Sequence, residues 1–390
     1  MNFKYPLATS SWDDKEYKAL QEVISSGSFT MGPKVSEFEY NFSKYIGSKY
    51  SVMVNSGSSA NLLMVASLFY LNNKTIKLNP GDEVIVPSVS WSTTYFPLYQ
   101  YGLKVKFVDI DIYTLNYDLN QLEIALTENT KAIMAVNLLG NPNDFDVINR
   151  IIGNREIFLL EDNCESLGAE FNGKKAGTFG IMGTFSCFFS HHISTMEGGI
   201  IVTDSEELYH ILLSLRAHGW TRNLPNINFV SGVKSNDHFK ESFKFVLPGY
   251  NLRPLEMSGA LGIEQLKKLP NLIHERRKNG DFFQRAMSNH PDLIIQSEIG
   301  SSSWFGFSLV IKPGSNLSRE KLLNILTNYG FECRPIVSGN FVKNDVLKYF
   351  EYEVHNSLNN AEYIDSNGLF IGNHHYSIFD AINILKDISF

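Results

Sequence analysis

The chain has 390 residues, 43% of them apolar and 19% charged, with a formal net charge of −7. That length holds a large core and leaves room for two packed lobes. The acidic balance argues against non-specific nucleic-acid binding, which needs a basic surface, and no uninterrupted apolar run is long enough to cross a bilayer.

Trp12-Asp13-Asp14, followed by Tyr17, Leu20, Val23 and Ile24, has helical spacing with acidic residues in its first turn. Residues 35–46 predict a second amphipathic helix. An alternation then sets in. Strand Ser51–Val54 leads to helix 58–70, and Glu83–Val86 to helix 91–101. Val105–Val108 leads to helix 118–126, and Ala132–Val136 to helix 144–152. Strand Ile157–Leu160 ends in Glu161-Asp162. This order predicts an α/β fold, a mostly parallel sheet flanked by helices, with ligands beyond the carboxyl ends of its strands. Strand Gly199–Val202 and helix 205–216 follow. Residues 221–250 are polar and turn-rich, a loop length that in a compact domain marks function or mobility. Helices are predicted at 254–267 and 270–288, a strand at Ser303–Ile311 and a helix at 318–329. The expected division is a large domain over 1–269, including the N-terminal helices, and a smaller C-terminal α+β domain over 270–390.

Met1-Asn2-Phe3-Lys4-Tyr5-Pro6 contains no apolar signal core. Cys164, Cys187 and Cys333 lie far apart without metal-ligand spacing. Both point to a reduced, cytoplasmic protein without a metal site.

Candidate functional residues cluster at the predicted strand ends. Asn55-Ser56-Gly57-Ser58-Ser59-Ala60 is small enough for backbone N–H groups to approach a phosphate at a helix N-terminus; a plain turn with a serine N-cap explains it equally well. Trp91 offers a flat face to a ring, with core packing as the alternative. Asp162 ends an apolar strand, where a buried carboxylate is costly without a cationic partner. Glu165 follows three residues later. His191 and His192 stand in a stretch without lysine, from Lys175 to Lys234. His218 opens the long loop and is a candidate contact to substrate or cofactor.

Residues 183–199, Gly-Thr-Phe-Ser-Cys-Phe-Phe-Ser-His-His-Ile-Ser-Thr-Met-Glu-Gly-Gly, resemble the cofactor-lysine segment of the DegT/DnrJ/EryC1 family of vitamin-B6 sugar aminotransferases. There a Ser-Phe pair precedes a lysine and then Gly-Glu-Gly-Gly. Counted back from Glu197-Gly198-Gly199, His191 occupies the lysine position, and Met196 replaces the first glycine. The resemblance implies a type I PLP-dependent aminotransferase-like fold binding pyridoxal 5′-phosphate or pyridoxamine 5′-phosphate. Gly57, Ser58 and Ser186 would hold its phosphate, Trp91 would stack on its ring, and Asp162 would pair with its pyridinium nitrogen. Glu165, glutamine in most members, would lie near its 3-hydroxyl. Asn251 would reach the phosphate of a neighbouring subunit, which implies a homodimer with shared active sites.

An imine-forming lysine anchors the cofactor and shuttles protons; imidazole moves protons but forms no stable imine. In this family a lysine-to-histidine exchange marks the sugar 3-dehydratases, and the absence of clustered cysteines fits the type without an iron–sulfur partner. The resemblance therefore implies that a nucleotide-linked 4-keto-6-deoxy sugar, GDP-linked, loses its C3 hydroxyl, with His191 as general base. Glu165 and His218 are candidate assistants, L-glutamate restores pyridoxamine phosphate, and His192 is a bystander. A sugar-nucleotide 4-aminotransferase remains one alternative. A regulatory homologue without catalysis is the other, and the retained Asp162, Ser186, Asn251 and Trp91 argue against it.

Overall fold

In the computed structural model, which describes residues 3–72 and 76–388, the first helix starts where the Asp13 side chain caps it and Glu16 reaches back to the Asp13 N–H at 2.8 Å. Met1 and Asn2 of the N-terminal segment considered for a signal core lie outside the described residues. The first half of the chain runs α1 (Asp14–Ser26), α2 (Pro33–Ile46), β1 (Tyr50–Val54), α3 (Gly57–Ser67), β2 (Glu83–Pro87), α4 (Ser92–Gln100), β3 (Lys104–Val108), α5 (Leu119–Ala125), β4 (Thr130–Val136), α6 (Phe145–Ile152), β5 (Phe158–Asp162), β6 (Glu170–Phe171), β7 (Lys174–Lys175), β8 (Met182–Ser186), β9 (Gly199–Thr203) and α7 (Glu206–Arg216). The second half runs β10 (Ile227–Asn228), β11 (Gly232–Val233), α8 (His238–Glu241), α9 (Glu256–Met287), β12 (Leu293–Ile295), β13 (Gly306–Ile311), α10 (Arg319–Asn328), β14 (Cys333–Arg334), β15 (Tyr352–Val354), α11 (Asn359–Asn367), β16 (Gly368–Gly372) and α12 (Phe379–Asp387).

The large sheet has the order β1-β9-β8-β5-β4-β2-β3-β15. Only β9 runs against its neighbours; the others are parallel. Helices cover both faces, so the central strands are apolar on both sides, as a parallel sheet requires. On one face α3, α4 and α7 pack against Val52, Val84, Val86 and Met134. On the other, α2 and α9 cover Met53, Phe185 and Ile200, while α5 and α6 cover Ile85, Ile133 and Leu159. The carboxyl ends of β1, β2, β5 and β8 therefore share one edge, and the turns that follow them carry the candidate residues. A second, antiparallel sheet, β12-β13-β16-β14, packs on α10, α12 and the end of α9.

Three expectations change. The two helices predicted around residue 270 are one 32-residue helix, α9, with Pro270 inside it. Proline removes one hydrogen bond, but packing along the helix outweighs that loss. The division at 269/270 thus falls in mid-helix. Residues on either side also cross it: Tyr5 pairs with Phe331, and β15 joins the large sheet beside β3. The strand predicted from Ser303 begins at Gly306, because Trp304 adopts φ 48° and turns the chain first. The loop over 221–250 contains the β10–β11 hairpin and α8, fastened by Glu241. That carboxylate accepts from Thr221 Oγ1, the Ser235 N–H and Lys244 Nζ, all at 2.9 Å, and the Ser235 and Lys244 bonds hold it down at about 2.

The helix pair beneath the site is closely fitted. Glu256, at the start of α9, accepts from the N–H groups of Gly32, Lys34 and Val35 and so caps α2. A Cβ at Gly262 would stand 2.8 Å from ring carbons of the fully buried Phe38. Gly262→Ala is expected to force α2 outward and lower stability by about 1–3 kcal/mol, read as a lower midpoint in urea unfolding at unchanged slope.

Candidate active site

The apolar strand β5 ends in two buried carboxylates that point to opposite faces. Glu161 is structural. It accepts from the N–H groups of Gly177, Phe179 and Gly180 at 2.6–2.7 Å, and burial still pushes it up to about 7. Asp162 faces the site. Its Oδ2 accepts from Asn61 Nδ2 at 2.7 Å and Thr94 Oγ1 at 2.8 Å, and its Oδ1 from the Cys164 N–H at 3.1 Å. All three donors are neutral. Asn61 is itself fixed by Thr184 Oγ1, at 2.6 Å. A rigid carboxylate without a cation is the complement of a protonated pyridine nitrogen.

Beside it, α3 begins with Ser56 as N-cap, whose Oγ accepts from the Ser59 N–H at 3.1 Å. Gly57 is N1. A Cβ there would lie 2.7 Å from the Ser186 Cβ, so only glycine lets the helix start against the end of β8. Ser186 is buried and Ser58 exposed, its hydroxyl donating to Thr93 Oγ1 at 3.1 Å. Free N–H groups, hydroxyls and the absence of acidic residues in the first turn suit a phosphate dianion. Trp91, N-cap of α4, is 59% exposed, which rules out the core-packing alternative and leaves a flat aromatic face open. The cradle, the open face and the unpaired carboxylate together fit a phosphorylated pyridine cofactor.

His191 lies in the loop between β8 and β9. Its Nδ1 is sealed from solvent without a hydrogen bond, and its Nε2 likewise has no partner among the described residues. The ring packs 5.2 Å from that of Phe305 and 5.9 Å from that of Phe188. Burial, helped by the Arg276 guanidinium, pulls it down to about 4, so it is uncharged at neutral pH. His192 is a core residue instead: it is buried and Nε2 contacts the Ser303 carbonyl at 3.2 Å. Met196, at the family's glycine position, has φ 67°, the left-handed region that glycine occupies freely.

Glu165 is linked to the same turn at Phe305. Its Oε2 accepts from the Leu139 N–H at 3.0 Å, and the Leu139 carbonyl accepts from the N–H of Phe305. That path runs through left-handed Leu139 (φ 52°) and through Gly140, where a Cβ would meet the Trp304 nitrogen at 2.6 Å. Burial, assisted by Asp162, pushes Glu165 up to about 7.

His218 and Asn251 form a separate group. The His218 N–H donates to the Tyr250 carbonyl, and its ring stands edge-on to Trp220 at 5.0 Å. Asn251 is exposed and accepts from Arg253 Nε at 2.9 Å. No hydrogen bond among the described residues joins either to His191, Glu165 or Asp162. Sequence reasoning missed Asn61 and Thr94. Their available signal was a polar residue on the buried face of each helix that flanks a strand end. Leu139, which acts through its backbone, left no signal.

A family model for the DegT/DnrJ/EryC1/StrS aminotransferases matches residues 10–378. The GDP-4-keto-6-deoxy-D-mannose 3-dehydratase of Escherichia coli O55:H7 is 65% identical over 98% of this chain and 99% of its own. A solved GDP-4-keto-6-deoxymannose-3-dehydratase with a trapped PLP–glutamate geminal diamine superposes with TM-score 0.97 at 65% identity, covering 98% of this chain and 99% of that one. A histidine-to-asparagine mutant of that enzyme with bound GDP-perosamine does so with the same score, identity and coverage.

Glu165 gives the site a measurable signature. Its folded value, about 7, lies above the ordinary 4.5. Between those values the folded cofactor-free chain keeps a proton that the unfolded chain has lost. This stabilisation is complete below 4.5 and is lost as pH rises through 7. Glu165→Gln is neutral throughout, so its stability relative to the parent is expected to improve from pH 5 to pH 8, checked by urea midpoints at both.

Proposed function

We infer the reaction from one premise, that the chain belongs to the DegT/DnrJ/EryC1/StrS aminotransferase family, joined to one observation, an imidazole where that family keeps its imine-forming lysine. The protein is a PLP/PMP-dependent 3-dehydratase. It removes the C3 hydroxyl of GDP-4-keto-6-deoxy-D-mannose, and L-glutamate regenerates pyridoxamine phosphate. The two solved 3-dehydratases support the glutamate and GDP-sugar assignments.

When bound, the cofactor supplies an amine for the sugar ketone and a ring that stores electrons while the C–O bond breaks. Gly57, Ser58 and Ser186 hold its phosphate, Trp91 covers its face and Asp162 keeps its ring nitrogen charged. His191, uncharged at neutral pH, would accept at Nε2, the nitrogen the protein does not seal, the proton lost from the amine-bearing C4′ carbon of the cofactor, and would deliver it to the departing C3 hydroxyl, which leaves as water. Without a lysine in the loop, no side chain of that loop can form an imine with the cofactor and divert the reaction to ordinary amino transfer. Glu165, held near neutrality, is placed to share a proton with the cofactor's 3-hydroxyl and so tune the ring.

Asn251 makes no hydrogen bond to Gly57, Ser58 or Ser186 of its own chain among the described residues, and Phe243 and Phe245, which pack on Trp220, are 67% and 56% exposed. An apolar patch of this kind fits a subunit interface. The enzyme is therefore a homodimer whose Asn251 serves the partner's site, and His218, beside it, faces substrate there. No described helix is long and apolar enough to span a membrane, and three free cysteines fit a reducing compartment, the cytoplasm.

His191→Asn is expected to bind the cofactor, seen by its absorbance, while dehydration falls roughly 10²–10⁴-fold. Borohydride treatment of the parent enzyme should leave its intact mass unchanged. Near-normal turnover in the variant, or a covalent cofactor adduct in the parent, would overturn the assignment. Sedimentation equilibrium should read two chains per particle; a monomer at assay concentration would refute the shared site.

A further inference from the structure

We propose that Trp12 and Gln265 are positioning residues, holding both peptide groups of Ser194 and through them the loop that presents His191. The proposal rests on His191 being the base. A catalytic imidazole is ordinarily oriented by a hydrogen bond on one of its nitrogens. The His191 ring has none among the described residues, so its place depends on its backbone and on contact with Phe305.

Inside the loop, the backbone closes on itself. The His191 N–H donates to the Phe188 carbonyl, Phe189 N–H to Met196 and Thr195 N–H to Cys187, at 2.9–3.0 Å. These bonds shape the loop without docking it on the body of the protein. Ser194 does that. Its N–H donates to Gln265 Oε1 at 3.0 Å, and its carbonyl accepts from Trp12 Nε1 at 3.1 Å.

Both partners are themselves fixed. Gln265, on α9, is fully buried. Its Oε1 also accepts from Ser11 Oγ at 2.7 Å, and its Nε2 donates to Glu16 Oε1 at 2.7 Å and to the Ser11 carbonyl at 3.4 Å. Two acceptor and two donor contacts on one head group require an amide; a carboxylate or a thioether leaves two of them unmet. Glu16 pairs with Lys268 at 2.7 Å. The segment bearing Trp12 is tied down by His374, whose ring nitrogens contact the Pro6 carbonyl at 2.9 Å and Thr9 Oγ1 at 3.1 Å, and by the Tyr5 N–H on the Gly330 carbonyl at 2.9 Å. An N-terminal strap and a long helix thus grip the two peptide groups of one residue, three positions from the base.

Trp12→Phe retains a ring against Tyr17 and removes the N–H donor together with part of the indole surface. With the GDP-linked 4-keto-6-deoxy sugar as substrate, kcat is expected to fall roughly five- to tenfold, with KM and cofactor affinity within about twofold of the parent. In a His191→Asn background the same change should cost nothing further, because no base remains to misplace. Gln265→Met should behave alike with a larger loss. An unchanged kcat in Trp12→Phe, or an equal loss in the His191→Asn background, overturns the proposal. Near-normal turnover in His191→Asn alone would instead sink the assignment of the base.

Discussion

A carboxylate buried among neutral donors is the constraint around which the site is built. Asp162 receives hydrogen bonds from an amide, a hydroxyl and a backbone N–H. These keep it in place, but they do not neutralise it. A cationic ligand is the partner that such a carboxylate lacks among the described residues. Each donor comes from a different element: Asn61 from α3, Thr94 from α4 and Cys164 from the turn after β5. Two of these elements also carry Gly57 and Ser58, at the start of α3, and the exposed Trp91, at the start of α4. One charge therefore locks the relative positions of the residues that would grip the ring at its nitrogen, face and phosphate.

The second constraint is electrostatic and concerns His191. His191 sits where desolvation and a buried guanidinium oppose protonation. Arg276 is spent on carbonyls rather than on a carboxylate: it donates to Trp304, Phe305 and Asn373 at 2.8–3.4 Å. It therefore both pins the turn that packs on His191 and keeps the imidazole uncharged. Glu165 is moved the other way by the same burial. The two groups are thus pushed in opposite directions, and both are tied to the turn at Phe305.

Close backbone approaches hold these parts in register. Gly57 lets α3 begin against Ser186, and Gly140 lets its turn touch the backbone of Trp304. The first is legible in a sequence as a small-residue run between strand and helix. The second is not, because its meaning depends on a partner more than 160 residues away.

The alternation of strands and helices from residue 51 to 162, the carboxylate ending an apolar strand and the histidine in a lysine-free stretch follow from the sequence alone, since period, local turn chemistry and residue type are local properties; β8, the strand that ends in Ser186, does not. The strand-end turns could likewise be placed on one edge by topology. The unity of α9 could not, because a proline reads as a break unless the packing that overrides it is known. Nor could the donors to Asp162, the bridge from Glu165 through Leu139 to Phe305, or the lowered basicity of His191. Those depend on which segments meet across the fold and how completely they exclude water, and only the tertiary structure decides that.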